Sequence, residues 1–249
     1  MTASRHRLAE HFGHVANDMT DVAERYRFNR LCPYNGDLPS CTWQKAVSPL
    51  GICSMYHGGE PEIVCPKRFR QDWIVAVDAA SFFFPPGTKW SSLTEVALSD
   101  PIGNSAETFD LVLVAYDGFG ATLDFGVLEM QEAYHTLVSR DELLPKLPKA
   151  PICPVQDQFS ESRKRLNQRL LTKGVVVHRL KKKLALAIDK RFFSALPNMA
   201  KVPKEGADLA WLIYELIPQK KGGHVFRYQQ RKVREVYTRF EQVLSVLTQ

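Results

Sequence analysis

The chain has 249 residues, 45% hydrophobic and 24% charged, a globular composition long enough for one large core or a core with an appendage. No apolar run approaches the roughly 18–20 residues of a membrane span. "MTASRHRLAEHFGHV" lacks the continuous apolar stretch of a secretory signal, so the expected address is cytoplasmic. The net charge of +6 is uneven: residues 1–149 hold 13 Lys and Arg against 19 Asp and Glu, and residues 150–249 hold 20 against 8. Such asymmetry fits either a basic surface facing a polyanion or a well-solvated helical surface.

Leu8, Phe12, Val15, Met19, Val22 and Tyr26 recur at steps of three and four, which predicts a helix over residues 4–27. From residue 28 to 67, Gly, Pro, Asn and Ser interrupt every period. An irregular stretch of about forty residues needs a staple. Cys32, Cys41, Cys53 and Cys65 run through it with 8, 11 and 11 residues between them. Five cysteines without an export signal argue against a disulfide framework. Four thiolates could close a structural zinc or iron site with no position left open for catalysis. The alternative is a set of buried, inert thiols. Cys153, in "APICP", could replace one of the four.

"WIVAVDAASFFF" (73–84) fits a strand or a buried helix equally, whereas "KWSSLTEVALSD" (89–100) reads as a helix with Leu93, Val96 and Ala97 on one side. Residues 109–131 form a β-hairpin, followed by a helix over about 132–144 and a proline-rich extended linker over 144–157. A long basic helical region over 160–195 breaks at Gly174, where "GVVVHRL" could be a short strand. An apolar helix over 206–217 and an amphipathic helix over 225–247 complete an α/β chain.

The hairpin carries the candidate chemistry. In "TFDLVLVAYDGFGATLDFGVLEMQEAYH", a turn at 117–122 pairs Tyr116 with Leu123 and so sets Asp110 opposite Glu129, with Gln131 on the same face. Two opposed carboxylates repel, and burial worsens the conflict. A divalent cation removes it, and Mg²⁺ is satisfied by one or two protein carboxylates. That arrangement suits hydrolysis of a phosphodiester. Nucleases built this way usually place lysine at the third position; Gln131 can orient a water but brings no charge. The alternative is a strand end whose polar residues reach solvent.

Taken together, "CPYN…C…SPLGICS…EIVCPKRFR" and the Asp…Glu-x-Gln hairpin resemble the NotI-type type II restriction endonucleases, within the larger PD-(D/E)xK nuclease group. The resemblance spans approximately residues 28–135. It implies a restriction-endonuclease-like mixed β-sheet core flanked by helices, an N-terminal loop-rich four-cysteine metal-binding segment and a helical basic C-terminal region. The corresponding divisions are 1–70, 71–157 and 158–249. By the same resemblance Asp110 and Glu129 bind catalytic Mg²⁺, Gln131 replaces the usual lysine, and Glu95 supplies an additional helix-borne acid. Iron or zinc sits on Cys32, Cys41, Cys53 and Cys65.

The implied function is Mg²⁺-dependent, site-specific cleavage of double-stranded DNA by a prokaryotic cytoplasmic homodimer, without a membrane or nucleotide cofactor. A repair or defence nuclease without a fixed site, and an inactive DNA-binding protein, are the rival readings. Phosphate contacts are expected from Arg163, Lys164, Arg165, Arg169, Lys173, Lys181, Lys182 and Arg231, which supply affinity without sequence choice. Asn167, Gln168, Gln229 and Gln230 are the candidates for reading base edges.

Overall fold

The structure, a computed structural model, describes residues 7–36, 40–42, 49–99, 103, 106–133 and 159–247. The expected hairpin forms the middle of its main sheet. Strands β6 (Ala106–Tyr116) and β7 (Thr122–Met130) pair antiparallel. Asp117 closes the connection, its Oδ1 accepting the N–H groups of Phe119 at 2.9 Å and Ala121 at 2.8 Å. A bulge beside this turn pairs Tyr116 with Thr122 rather than Leu123. From Ala115–Asp124 to Leu111–Leu128 the register is the expected one, which leaves Asp110 facing Glu129.

Strand β5 (Trp90–Ser99) lies along the other edge of β6. This corrects the helix expected over 89–100. The Ser-Ser-Leu-Thr-Glu run has weak apolar periodicity, and pairing with β6 decides the conformation. Strand β8 (Lys183–Asp189) runs parallel to β7, β9 (Leu209–Lys221) parallel to β8, and β10 (His224–Thr238) antiparallel to β9. The sheet order is β10-β9-β8-β7-β6-β5.

The helix expected over 206–217 is therefore strand β9, and in 225–247 only α6 (Phe240–Leu247) is helical. The helical basic C-terminal region is also corrected: it supplies three strands of the sheet. "LALAI" and "LAWLIY" are buried on both faces, so they read as continuous apolar runs that periodicity alone cannot tell from a buried helix.

A second sheet of order β2-β1-β3-β4 comprises β1 (Arg7–His11), β2 (His14–Val15), β3 (Ile52–His57) and β4 (Glu60–Ile63). The helix expected over 4–27 shrinks to α1 (Asp21–Phe28), capped by Thr20. Phe12 and Gly13 adopt φ of 50° and 81°, which turns the chain back on itself where a helix would have continued. A buried ion pair ties this sheet to the larger one. Arg68 Nε donates to Glu10 Oε2 at 2.8 Å, and its Nη2 donates to the Tyr228 carbonyl of β10 at 3.0 Å.

"IVAVDAASFF" is a buried helix, α2 (Ile74–Phe83), on one face of the large sheet beside the small sheet. The opposite face is covered by α3 (Ser160–Arg169), a π-helical turn (Leu170–Gly174), α4 (Val175–Arg179) and α6. The helix does not break at Gly174, and "VVVHR" is helical. The missing Cβ there admits the Phe240 ring, which would lie 2.5 Å from a methyl group. A five-residue helix, α5 (Lys190–Ser194), follows β8. Most of the helix expected over 132–144 and all of the linker over 144–157, with Cys153, lie outside the described residues.

Candidate active site

Alternation along β6 and β7 sends Leu111, Leu113, Leu128 and Met130 toward α2, and Val112 and Val127 toward α3 and the π-turn. Asp110 and Glu129 share the parity of the second set. The backbone ladder between these strands ends at Leu111–Leu128. Beyond it the two carboxylates take over the hydrogen bonding reciprocally. Asp110 N–H donates to Glu129 Oε1 at 2.9 Å, and Met130 N–H donates to Asp110 Oδ2 at 3.0 Å.

Glu129 is wholly buried. Burial raises its pKa, the charge of Asp110 raises it further, and Arg169 and Lys173 oppose both effects. Both cations come from the helical run over the sheet, one helical turn apart. Lys173 Nζ donates to Glu129 Oε2 at 2.9 Å, and Arg169 Nε lies 3.5 Å from the same oxygen. Arg169 is also held through Nη1, which donates to the Met130 carbonyl at 2.8 Å.

Gln131 is buried at the end of β7, where its N–H donates to the Ala187 carbonyl at 2.8 Å. Its side-chain Nε2 donates to the Glu132 carbonyl at 2.9 Å, while Oε1 has no hydrogen-bond partner among the described residues. Glu95 lies on β5, not on a helix, between the pairs Thr94–Leu111 and Val96–Phe109, so its register position faces Asp110. Its backbone φ is +55°, its side chain is largely exposed, and Oε1 lies 3.4 Å from Lys67 Nζ. The register thus lines up three acids across β5, β6 and β7.

Arg70 enters from the 3₁₀ segment Pro66–Trp73. It is buried, and burial lowers its pKa, with the charges of Asp110 and then Glu95 the largest effects opposing that. Its Nε and Nη2 have no hydrogen-bond partner among the described residues. Asp72 and Trp73, two and three residues further on, both adopt left-handed conformations at φ of 53° and 52°. Consecutive non-glycine residues in that region mark a segment held against its local preference.

Sequence reasoning grouped Lys173 and Arg169 with the DNA-facing residues and passed over Arg70. The signal for the first two was their i,i+4 spacing, together with a strand motif that lacks a cation of its own.

The expected four-cysteine metal centre finds no support among the described residues. Cys32, Cys53 and Cys65 are buried free thiols, and Cys41 is half-buried. They are near enough to raise one another's pKa, but burial is the largest cause, lifting Cys32 to about 11 and Cys53 and Cys65 further. Among the described residues no group of three or more His, Cys, Asp or Glu side chains is arranged to hold a metal ion. The described part of the segment is tied down by other contacts. These are the β3–β4 hairpin, an apolar cluster of Leu8, Ile52, Met55, Val64 and Cys65, and the Arg68–Glu10 pair with Ser54 donating to Glu10 at 2.7 Å.

Of the other expected DNA contacts, Arg165 Nη1 donates to Glu132 Oε1 at 2.9 Å, and Lys182 Nζ donates to Asp124 Oδ1 at 2.6 Å. Arg231 Nε reaches Glu215 Oε1 at 3.1 Å. Lys164 is exposed, 3.8 Å from Glu161 Oε2. Lys181 is exposed at the end of α4, and Arg163 is half-buried on α3. Gln230 is buried in β10 against Gln71.

The family described as restriction endonuclease NotI matches residues 17–228 of the chain. The chain belongs to the NotI restriction endonuclease family. No curated protein matches it. The match begins after β1 and β2 and ends within β10, so it spans β3 to β9, and it includes Asp110, Glu129, Gln131, Arg169 and Lys173. Membership implies a deoxyribonuclease that acts on double-stranded DNA. Among the described residues, no helix is long and apolar enough to cross a membrane.

Proposed function

We propose that this NotI-family chain is a Mg²⁺-dependent, site-specific endonuclease of the PD-(D/E)xK group, with Asp110 and Glu129 as its metal ligands. One observation carries the reading: a buried Glu129 and a half-buried Asp110 that repel each other where the β-hairpin ladder ends, overhung by cations from a helix. The fit to Mg²⁺ rests on the donor set. Mg²⁺ needs one or two carboxylates, with water and substrate oxygens filling its other positions, and a Cys or His cage is not required. When bound, such an ion lowers the pKa of a water and offsets charge developing on the phosphate.

The residues have separable parts. Glu129 Oε1 holds the Asp110 N–H and Asp110 Oδ2 holds the Met130 N–H, which leaves Asp110 Oδ1 and the Glu129 Oε2 that Lys173 grips as the oxygens for the ion. Gln131 Oε1 is a buried acceptor positioned to take a proton of a bound water in hydrogen bonding. Arg70 offers Nε–H and Nη2–H to a non-bridging phosphate oxygen near Asp110. In hydrolysis the water oxygen forms a bond to phosphorus and one phosphorus–oxygen ester bond breaks. The water loses a proton and the leaving sugar oxygen gains one. One water is consumed, leaving a terminal phosphate and a hydroxyl.

Glu95 stands beside this set as a third acid in the register. The exposed Lys164 and Lys181, with Arg163, Arg165, Lys182 and Arg231, extend a basic surface toward the flanking phosphates. Cutting both strands of a symmetric site calls for two active sites, hence a homodimer. Iron or zinc on the four cysteines forms no part of this reading.

The test is digestion of a plasmid of known sequence with Mg²⁺, followed by sequencing of the ends. Discrete bands with one shared end sequence are expected. A smear would favour a nuclease without a fixed site. No cleavage, or cleavage undiminished by Asp110→Ala and Glu129→Ala, would remove the assignment.

A further inference from the structure

The strand motif of this site is short of one positive charge. Glu129-x-Gln131 ends in an amide, which can orient a water but cannot stabilise negative charge as a cation does. On the helical side, two cations meet one carboxylate oxygen. Arg169 is fixed there by its bond to the Met130 carbonyl and already neutralises Glu129. Lys173 is anchored differently. Among the described residues its ammonium makes one hydrogen bond, to Glu129 Oε2, and it lies 5.5 Å from the centroid of the Phe109 ring. An ammonium has three N–H groups, so two remain for other acceptors.

Local backbone geometry aims it there. Lys173 lies in the π-helical turn Leu170–Gly174 between α3 and α4, and such turns are rare and concentrate at functional sites. The wider turn keeps Leu170 and Gly174 buried while Lys173 reaches across to the end of β7. With a divalent ion on the carboxylate pair, the two acids would be neutralised by that ion alone. Arg169, Lys173 and Arg70 would then be surplus positive charge. A phosphodiester approaching its transition state is the anion that such a surplus suits.

Resting on the endonuclease reading above, we propose that Lys173 is the catalytic lysine of this chain, presented from the π-turn in place of the residue that β7 lacks at Gln131. Its free N–H groups hold the attacking water and a non-bridging phosphate oxygen, while its bond to Glu129 keeps it on the metal side of the site.

The experiment measures single-turnover cleavage of a duplex carrying the recognition sequence by wild type, Lys173→Met, Lys173→Arg and the double variant Lys173→Met/Gln131→Lys. Asp110→Ala is run in parallel. Calcium binding to each protein without DNA is followed by calorimetry. Lys173→Met is expected to slow cleavage about 10²–10³-fold, the usual cost of one preorganised donor, with Ca²⁺ affinity equal to or tighter than wild type. Restoring a lysine at position 131 is expected to recover at least about tenfold of that loss. Lys173→Arg keeps the ion pair, and hence the fold. It is expected to cut at least about tenfold more slowly, because a planar guanidinium does not replace a compact ammonium.

Lys173→Met cleavage within a few-fold of wild type, or wild-type cleavage by Lys173→Arg, would overturn the proposal. So would a loss accompanied by much weaker Ca²⁺ binding and no rescue at 131, since Lys173 would then only shape the ion site. If the wild type fails to cut, or Asp110→Ala still cuts, the endonuclease reading itself falls. If Asp110→Ala is dead and Lys173→Met is active, only the role of Lys173 does.

Discussion

Asp110→Asn should make the protein more stable and catalytically dead at the same time. Directly opposed side chains on paired strands have Cβ atoms about 5 Å apart. Two unit charges at that distance, in an effective dielectric near 20, repel by about 3 kcal/mol. Asp110 is only half-buried, and Arg169 and Lys173 already oppose the charge on Glu129, so about 1–2 kcal/mol should be recoverable. Asparagine keeps an acceptor oxygen for the Met130 N–H, so the hairpin end retains its hydrogen bond.

For a chain of this size, that gain corresponds to a rise in melting temperature of about 2–8 °C. Thermal unfolding in EDTA and in excess Mg²⁺ reads it directly. In EDTA the variant should melt above wild type. In Mg²⁺ the order should narrow or invert, because an ion at a hundred times its Kd stabilises the wild type by about 2.7 kcal/mol, a gain the variant should largely lack. A variant that melts below wild type in EDTA would refute the repulsion, and one that responds equally to Mg²⁺ would refute the ion site.

Two further outcomes bear on the frame around the site. Arg68→Met leaves Glu10 buried without its cation and cuts the link from the small sheet to β10, so a loss of about 3–5 kcal/mol is expected in urea unfolding; a loss under about 1 kcal/mol would show that the pair does not join the sheets. His11 is held neutral, its pKa lowered to about 4 by burial and then by the charge of Arg27. The unfolded chain takes up this proton first, so its contribution is complete above pH 6.5 and is lost as pH falls through about 4. His11→Phe should flatten that acid limb in a series of unfolding curves, by at most about 3 kcal/mol, whereas an unchanged limb would place the acid sensitivity elsewhere.

The elements that could be read from the chain were those with a local cause. The hairpin was one, because strand alternation and the Asp117 turn act within a few residues; the one-residue bulge at Tyr116 did not disturb the pairing of Asp110 with Glu129. Elements with a non-local cause were misread. "LAWLIY" and "LALAI" carry no period because neighbours cover both faces, and "SSLTEVALS" took its form from the edge of β6. In the N-terminal stretch, a helical stripe was outweighed by the left-handed turn at Phe12 and Gly13.

The cysteines carry a related lesson. Their placement through an irregular segment suggested a metal staple; what spacing could not show is that Arg68, from beyond that segment, binds Glu10 ahead of it and, with the β1–β3–β4 packing, ties down its described part.

By itself, then, the sequence determined that two carboxylates and an amide would share one face at the end of a hairpin, because period-two alternation and a short turn leave little choice. It also identified a basic C-terminal half. Only the tertiary structure decided that two cations of that half belong to Glu129. Lys173 stands 44 residues from Glu129 in sequence, and they meet across 2.9 Å because the helical run between β7 and β8 crosses the face on which Glu129 lies. The path of a crossover is set by sheet order and by the burial of Leu166, Leu170 and Val177 beneath it, and no local pattern encodes which carboxylate waits at its far side.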